Sequence, residues 1–212
     1  MPILVTGCAL TVLFVWLVQH HPLWWIASFF TVFATAAFLS FFRDPWRKIP
    51  PDLPDGTMLS PADGVISAIE FVDHHESTET KSVIIRIFLS VLNVHINRSP
   101  CDCIVENTVY RKGKFLDARS TESAKVNESN LITFRVGKDI IGVRQVSGKL
   151  ARHIVCPLDA GDFLTQGQQF GMIKYGSTTE LILPRPDGVT LLVSIGDRVY
   201  AGLTSVATLS LD

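Results

Sequence analysis

Gly176 and Ser177 form a Gly-Ser pair between two apolar segments whose composition is typical of β-strands. By itself such a pair is most often a turn. The same pair also meets the requirement of a self-cleaving precursor, in which the serine hydroxyl must reach the carbonyl carbon that precedes it. Glycine has no Cβ, so it permits the strained backbone and the close approach that this attack needs.

Attack of the Ser177 hydroxyl on the Gly176 carbonyl would replace the amide by an ester, which is nucleophilic catalysis directed at the chain's own backbone. Loss of the Cα proton of Ser177 would then eliminate the ester oxygen and leave dehydroalanine. Tautomerisation and loss of ammonia would produce a pyruvoyl group at a new N-terminus. The pair therefore suggests cleavage between residues 176 and 177 into a large and a small chain.

The histidine pair in the middle of the chain and the cysteines do not form a recognisable metal motif. His74 and His75 lie in a polar segment typical of an exposed loop, without further ligands at a suitable spacing. Cys101 and Cys103 form a C-x-C pair, but no second pair completes a metal site or a disulfide framework. We predict no bound metal and cysteines that stay reduced.

The N-terminal part of the chain is predicted to lie in a membrane. Residues 1–42 contain no Asp, Glu, Lys or Arg. Within them the apolar segments 3–18 and 23–42 would reach roughly 24 and 30 Å as helices, against about 30 Å for a hydrocarbon core. We predict an α-helical membrane hairpin over residues 1–42. The alternatives are a re-entrant hairpin and a cleaved signal peptide, which needs a basic start that residues 1–3 lack.

Three cations follow the second apolar segment directly, namely Arg43, Arg47 and Lys48. The positive-inside tendency therefore predicts that the remaining chain lies on the cytoplasmic side of the cell membrane. There the three side chains would approach anionic lipid head groups, with a gain of about 1 kcal/mol each. The formal net charge of −1 gives no basic field to attract nucleic acid, so the predicted partner is the lipid bilayer.

Residues 43–212 are predicted to form a mainly β domain, either a barrel or a sandwich. Segments rich in Val, Ile, Thr and Phe alternate with Gly, Pro, Asn and Asp, and long helical periodicity is absent. The polar stretch 114–130 is predicted to be a loop or a short helix. The predicted strands lie within residues 56–72, 82–90, 103–111, 131–136, 140–146, 170–175, 178–183, 189–195 and 206–211.

A weak internal repeat supports this fold class. Gly161-Asp162 and Gly196-Asp197 each precede a further glycine by the same spacing, and Gly-Asp pairs suit tight turns between strands. Such turns recur in lipoyl- and biotinyl-like sandwich folds, whose carrier modules display a modified lysine. No lysine stands in either repeat, so the repeat favours the fold and not a carrier function.

Over nearly all of residues 41–205 the chain resembles the short form of the phosphatidylserine decarboxylase family. Each matching motif is weak alone, but together, in this order and behind a membrane hairpin, they are specific. The motifs are Phe42-Arg43-Asp44-Pro45, Ser60-Pro61-Ala62-Asp63-Gly64, Phe88-Leu89-Ser90, residues 94–100, Asn127-Glu128, residues 148–152, residues 167–173, Gly176-Ser177, Gly196-Asp197-Arg198-Val199, and Gly202 with Thr204.

The resemblance implies a pyruvoyl-dependent enzyme that decarboxylates phosphatidylserine to phosphatidylethanolamine through a Schiff base. Ser177 would become the covalent pyruvoyl cofactor, and Gly176 would become the C-terminus of the larger chain. The two chains of one precursor would stay together, and a homo-oligomer is compatible with the resemblance.

Two further residues gain roles from the resemblance. Asp63 and His95 resemble the acid and the imidazole that activate Ser177 and move protons. A histidine titrates near pH 6.5, so it can act as a base in one step and an acid in the next. A carboxylate bonded to it would hold the ring's tautomer. His95 is also the candidate for the acid that protonates the substrate carbon after decarboxylation.

The chain departs from the family pattern at three positions. The family pattern has arginine near Ser129 and near His153, so no phosphate-binding role is assigned to either residue. Larger family members carry a second histidine where this chain has Arg98. A relay built on two histidines therefore cannot be carried over.

Four other functions remain open from the sequence. A relative that decarboxylates the archaeal ether-lipid analogue would look alike. A membrane-tethered β-sandwich binding module without catalysis would stay as one uncut chain. A membrane serine hydrolase would use Ser177 and His95 directly and keep the serine. A soluble pyruvoyl decarboxylase of a free amino acid is the fourth, and the two apolar segments argue against it.

Overall fold

The protein is represented by a computed structural model that describes residues 2–18, 23–117, 122–149, 153–173 and 177–210. The chain divides into two compact units, Met1–Arg43 and Asp44–Asp212. The first unit is helical and the second is mainly β, because the charge-free and the charged parts of the chain carry different residue patterns.

Two helices form the first unit, α1 (Pro2–Val18) and α2 (Trp24–Phe41). They pack on each other, with the rings of Phe14 and Trp24 stacked at 5.6 Å between centroids. A Cβ on Gly7 would lie 2.7 Å from Thr35 Oγ1, so this glycine permits the close approach of two helices. Of the helices in the described part of the chain, only α2 is both long and apolar enough to cross a membrane.

The second unit confirms the predicted mainly β architecture behind apolar N-terminal helices. The stretch 114–130 was predicted to be a loop or a short helix. Its described part contains a short helix, α3 (Ser123–Val126). The strands are β1 (Thr57–Leu59), β2 (Gly64–His75), β3 (Thr80–Leu89), β4 (Ile96–Arg98), β5 (Cys103–Arg111), β6 (Ser129–Val136), β7 (Asp139–Val146), β8 (Ile154–Val155), β9 (Phe163–Leu164), β10 (Gln169–Ile173), β11 (Ser177–Pro184), β12 (Val189–Leu191), β13 (Arg198–Val199) and β14 (Ser205–Leu209).

The strands form one large antiparallel sheet and two small ones. The large sheet has eight strands in the order β13-β2-β3-β11-β7-β6-β5-β9, and it curls into a half-barrel. The small sheets have the orders β1-β14-β12 and β4-β10-β8. Strand β11 therefore lies near the middle of the large sheet, between β3 and β7.

Both faces of the large sheet are buried around β11. Successive strand residues face opposite sides, so Leu181 and Leu183 enter the main core whereas Ile182 packs in a smaller core with Ile84 and Leu131. At about 25 cal/mol per Å² of buried apolar surface, this two-sided burial is the main stabilising contribution at the centre of the sheet. Ser177 and Thr178, the first two residues of β11, are buried as well.

The sequence repeat is also a repeat of backbone geometry. Gly161 and Gly196 adopt φ values of +95° and +97°, which glycine reaches without steric cost. Gly161 N donates to Val105 O and Gly196 N donates to Ile66 O, each over 2.8 Å. In both turns the aspartate after the glycine accepts a hydrogen bond from the backbone three residues earlier.

The Ser-Pro segments that follow β1 and β4 form a second internal repeat. Leu59 N donates to Pro100 O over 2.8 Å, and Arg98 N donates to Pro61 O over 3.0 Å. The Ser-Pro turns at positions 60–61 and 99–100 are therefore bonded reciprocally to each other. This reciprocal pair lies where β1 leads into β2 and where β4 leads into β5.

Candidate active site

Ser177 is the first residue of β11 and pairs with Leu89 of β3. By the alternation along β11 its side chain faces the main core, and it is fully buried. Among the described residues its hydroxyl oxygen has no hydrogen-bond partner. A buried hydroxyl without a partner costs about 1–3 kcal/mol, so such a group in a native fold calls for a functional explanation. Gly176 lies outside the described residues.

His95 is also fully buried and immediately precedes β4. Its Nδ1 lies 2.9 Å from the backbone oxygen of Asn93. A carbonyl only accepts hydrogen bonds, so Nδ1 carries the hydrogen and Nε2 is the basic nitrogen of the neutral ring. Ile173 N donates to His95 O over 3.3 Å, which places His95 beside the end of β10, just before the chain continues to Ser177.

The loop that presents His95 is closed by its own side chains. Asn93 Oδ1 accepts hydrogen bonds from Ser90 N over 2.9 Å and from Ser90 Oγ over 2.7 Å. An asparagine used in this way mimics a backbone turn. Leu89, the strand partner of Ser177, directly precedes this loop. The turn therefore determines the path of the backbone from Leu89 to His95.

Asp63 is buried and forms a two-pronged ion pair with Arg47. Arg47 Nη1 and Nη2 donate to the two carboxylate oxygens over 2.6 and 2.8 Å, and Ala201 N donates to Oδ1 over 2.8 Å. These are the hydrogen bonds of Asp63 in the described structure, and a bond to His95 is not among them. The predicted roles of Asp63 and His95 in moving protons remain predictions.

The ion pair corrects the expectation that Arg47 contacts lipid head groups. Its side chain is only 6% exposed, and Nη1 also donates to Ala201 O over 2.6 Å. Because its guanidinium is buried and hydrogen-bonded inside the β unit, Arg47 is not available to contact a bilayer surface. Arg43 and Lys48 are exposed and stay candidates for that contact.

Gly64, directly after Asp63, explains why the motif ends in glycine. A Cβ at Gly64 would collide with the backbone oxygen of Phe88. Phe88 of β3 is in turn the strand partner of Thr178. The glycine therefore allows the Asp63 turn to approach the strand that lies beside β11.

Arg98 occupies the position of the second histidine of larger family members, and it is a structural residue here. Its Nη1 donates to Gly167 O and its Nη2 to Asp44, each over 3.0 Å. Together with the Arg47 pair, this contact holds the segment that begins at Asp44 against the β unit. Ser129 is buried and paired with Val146 in the sheet, and His153 is exposed.

A buried asparagine near the candidate site was not predicted from the sequence. Asn97 Nδ2 donates to Thr179 Oγ1 over 3.1 Å and to Pro61 O over 3.3 Å. Its Oδ1 accepts a hydrogen bond from Gln145 Nε2 over 2.9 Å. The one sequence signal for Asn97 was its position as a polar residue, two residues after His95 and within a motif of the family resemblance. Its hydrogen-bond partners are distant in the chain, and no local pattern indicated them.

All four cysteines are free in the structure. Cys101 and Cys103 are buried, and Ser99 Oγ lies 3.2 Å from Cys103 Sγ. The hydrogen bond that the Cys101 thiol donates to Cys103 and burial raise the pKa of the Cys101 thiol well above its ordinary value. Such a thiol is inert and not a nucleophile.

Comparison with known proteins shows the family of this chain. The family profile described as phosphatidylserine decarboxylase matches residues 34–207. A phosphatidylserine decarboxylase proenzyme of Rhodopirellula baltica is 41% identical over 87% of this chain and 76% of its own length. Proenzymes of the same name from Desulfotalea psychrophila and Neisseria gonorrhoeae are 42% and 40% identical, over 84% and 99% of this chain and over 82% and 77% of their own lengths.

The fold and the site thus define a mainly β domain that follows apolar helices. It buries a serine at the start of a central strand of its large sheet and a histidine directly before a strand of a small sheet. The chain belongs to the phosphatidylserine decarboxylase family.

Proposed function

We propose that this protein is made as a precursor, cuts itself between Gly176 and Ser177, and then decarboxylates phosphatidylserine to phosphatidylethanolamine. The observation that carries the proposal is the buried Ser177 hydroxyl without a described partner. It stands at the first residue of β11 in a member of a family whose relatives are named proenzymes.

The self-cleavage follows from the chemistry of the pair. Attack of Ser177 Oγ on the Gly176 carbonyl carbon forms a C–O bond and breaks the C–N bond, which gives an ester and a free amine. Removal of the Ser177 Cα proton expels the Gly176 carboxylate and leaves a Cα=Cβ double bond. Addition of one water and loss of one ammonia then convert residue 177 into a pyruvoyl group.

His95 is the residue we propose to move protons. Its Nδ1 donates to Asn93 O, so Nε2 is the ring nitrogen that we propose to take the proton of the Ser177 hydroxyl. The same nitrogen, once protonated, would return a proton to the substrate carbon after carbon dioxide leaves. Asp63 is proposed to act on these steps as a fixed negative charge held by Arg47.

The surroundings of position 177 suit a pyruvoyl group. The position is fully buried beside Leu89, and a small carbonyl group needs no hydrogen-bond donor of its own to fit in place of the unpartnered hydroxyl. When formed there, the group supplies a conjugated carbonyl that accepts the electrons left by the departing carbon dioxide.

We propose that α2 anchors the enzyme in the cell membrane, with the β unit on the cytoplasmic side. The helix is free of charged residues, and Arg43 follows it after one residue, Phe42, as the positive-inside tendency requires. A diacyl lipid stays in the bilayer, so an anchored enzyme meets it by diffusion in two dimensions.

An intact mass spectrum of the purified full-length protein tests the self-cleavage. We expect two chains separated between residues 176 and 177, the small one lighter by one ammonia than its serine form. Ser177→Ala should remain one chain, whereas Thr178→Ala, a matched control whose side chain faces the opposite side of the sheet, should still be cut. A folded wild-type protein that stays uncut would overturn the proposal.

The substrate is tested separately on the processed protein. Carbon dioxide release should be observed with vesicles containing phosphatidylserine. Release from vesicles of the archaeal ether-lipid analogue alone would assign the enzyme to that relative instead. Labelling of an intact Ser177 by a fluorophosphonate probe would favour a serine hydrolase.

A further inference from the structure

We propose that Asn97 is a positioning residue for the self-cleavage: its amide ties the Pro61 turn to β11 and thereby sets the position of the Ser177 hydroxyl. The inference rests on the proposed cleavage between Gly176 and Ser177. It concerns a residue that touches neither reacting atom and acts through its neighbours.

Asn97 is fully buried where three segments of the site meet. It lies on β4, two residues after His95, which immediately precedes that strand. Its partner Thr179 lies two residues after Ser177 on β11, so these two side chains share a face of that strand. Its partner Pro61 lies two residues before Asp63. One side chain thus joins the segments of all three predicted site residues.

The three hydrogen bonds of the Asn97 side chain require both its NH₂ group and its carbonyl oxygen. The NH₂ group donates one hydrogen to Thr179 Oγ1 and the other to Pro61 O, and the oxygen accepts from Gln145. Of the common small side chains, only an amide of this length supplies two donors and an acceptor at one position. Aspartate has the same shape but loses both donors and would place a charge beside a carbonyl oxygen.

The chain of bonds continues away from the site. Gln145 Oε1 accepts from Asn130 Nδ2 over 3.1 Å, and Asn130 is nearly as buried as Asn97. Asn130 therefore belongs to the same buried network but bonds to neither the Pro61 turn nor β11. It provides a matched control, because the same substitution there disturbs the network without touching the three site segments.

The effect on chemistry follows from the demands of an internal attack. Ser177 Oγ must lie close to the Gly176 carbonyl carbon along a defined direction, and a misplacement of about 1 Å can cost on the order of 100-fold in rate. The Ser177 hydroxyl has no described hydrogen bond of its own to hold it. Its position therefore depends on how β11 is held, and Thr179 is the next residue on that face.

The experiment follows the rate of cleavage of freshly synthesised full-length protein in detergent, together with its thermal unfolding temperature. We expect Asn97→Asp and Thr179→Val to slow cleavage by about 10- to 100-fold. Thr179→Ser keeps the hydroxyl and should cleave within about threefold of the wild-type rate. Asn130→Asp should lower the unfolding temperature comparably to Asn97→Asp and still cleave at close to the wild-type rate.

The outcomes separate the inference from the proposed function. If the wild-type protein cleaves and Thr179→Val, which preserves shape, cleaves equally fast, Asn97 does not position Ser177. The same conclusion follows if Asn130→Asp slows cleavage as much as Asn97→Asp, because the effect would then follow stability alone. If the wild-type protein does not cleave at all, the proposed function itself has failed.

Discussion

Arg47 holds Asp63 in a buried ion pair with two parallel hydrogen bonds of 2.6 and 2.8 Å. The internal symmetry of the fold offers a comparison, since Asp102 occupies the equivalent position in the second Ser-Pro turn. Asp102 accepts a backbone hydrogen bond from Gln166 over 2.6 Å, as Asp63 does from Ala201. Asp102 is exposed, and no ion pair to it exists among the described residues. The Ser-Pro turn at Asp102 therefore forms without a cation. The ion pair of Asp63 with Arg47 is thus a feature of the first turn alone and is not needed to form this type of turn.

Loss of the cation should destabilise the β unit strongly. Arg47→Met leaves the Asp63 carboxylate buried and unpaired, which typically costs about 3–5 kcal/mol. The double variant Arg47→Met/Asp63→Asn should recover a large part of this loss, because no uncompensated charge remains. Urea unfolding of the detergent-solubilised protein measures the three free energies of unfolding. Asp102→Asn, at the equivalent exposed position, should change the free energy by less than about 1 kcal/mol; a loss equal to that of Arg47→Met would contradict the account.

The turn at Asn93 should determine the position of the His95 side chain. Asn93→Ala removes the acceptor of the two hydrogen bonds from Ser90 and should slow self-cleavage by about tenfold, as expected for a misplaced base. Asn93→Asp keeps an acceptor oxygen at the same position and should cleave at nearly the wild-type rate. Gel analysis of the precursor and the two chains over time measures both. Equal rates for the wild-type protein and Asn93→Ala would show that the loop does not need this closure.

The second face of the sheet provides a test of buried against exposed charge. Glu180 is fully buried and accepts from Arg86 Nε over 2.8 Å and from Arg144 Nε over 2.7 Å. Glu70 accepts from the same Arg86 over 2.9 Å, but its side chain is 40% exposed. We expect Glu180→Gln to cost about 3–5 kcal/mol of unfolding free energy and Glu70→Gln less than about 1 kcal/mol. Chemical denaturation of the two matched variants checks the ratio.

His75 should make the protein less stable in mild acid. Burial, followed by the charge of Arg144, lowers the pKa of His75 below its ordinary value, and Nδ1 accepts a hydrogen bond from Ser77 N over 3.2 Å. As the pH falls below about 6.5, the unfolded chain binds this proton more readily than the folded protein, so the free energy of unfolding decreases. The contribution is present above that pH and is lost as the pH falls through the folded-state pKa.

The test of His75 uses its neighbour as a control. His75→Gln should flatten the decline in the free energy of unfolding between pH 7 and 5, measured by urea titration at several pH values. His74→Gln, at an exposed position, should leave the decline unchanged. A decline that persists in full in His75→Gln would assign it to other groups.

Local patterns in the sequence were sufficient to predict the elements with strong periodicity or composition. The charge-free N-terminus predicted apolar helices, and α1 and α2 begin and end within two residues of the predicted segments. The long strands, such as β3 and β11, were predicted from β-branched residues between turn formers. Strands β4, β8, β9 and β13 were missed, because two or three residues carry no periodicity and pair only when the rest of the fold is present.

Ser177 and His95 were predicted as site residues from their motifs, and only the tertiary structure decided what surrounds them. The partners of Asp63 are Arg47, 16 residues before it, and Ala201, 138 residues after it. Asn97 bonds to Thr179 across 82 residues. Sequence alone determined which residues could react, since this depends on side-chain chemistry and short motifs. Which groups hold them was decided by the order and register of strands in the folded sheet, because long-range pairing is a property of the packed chain as a whole and leaves no local trace.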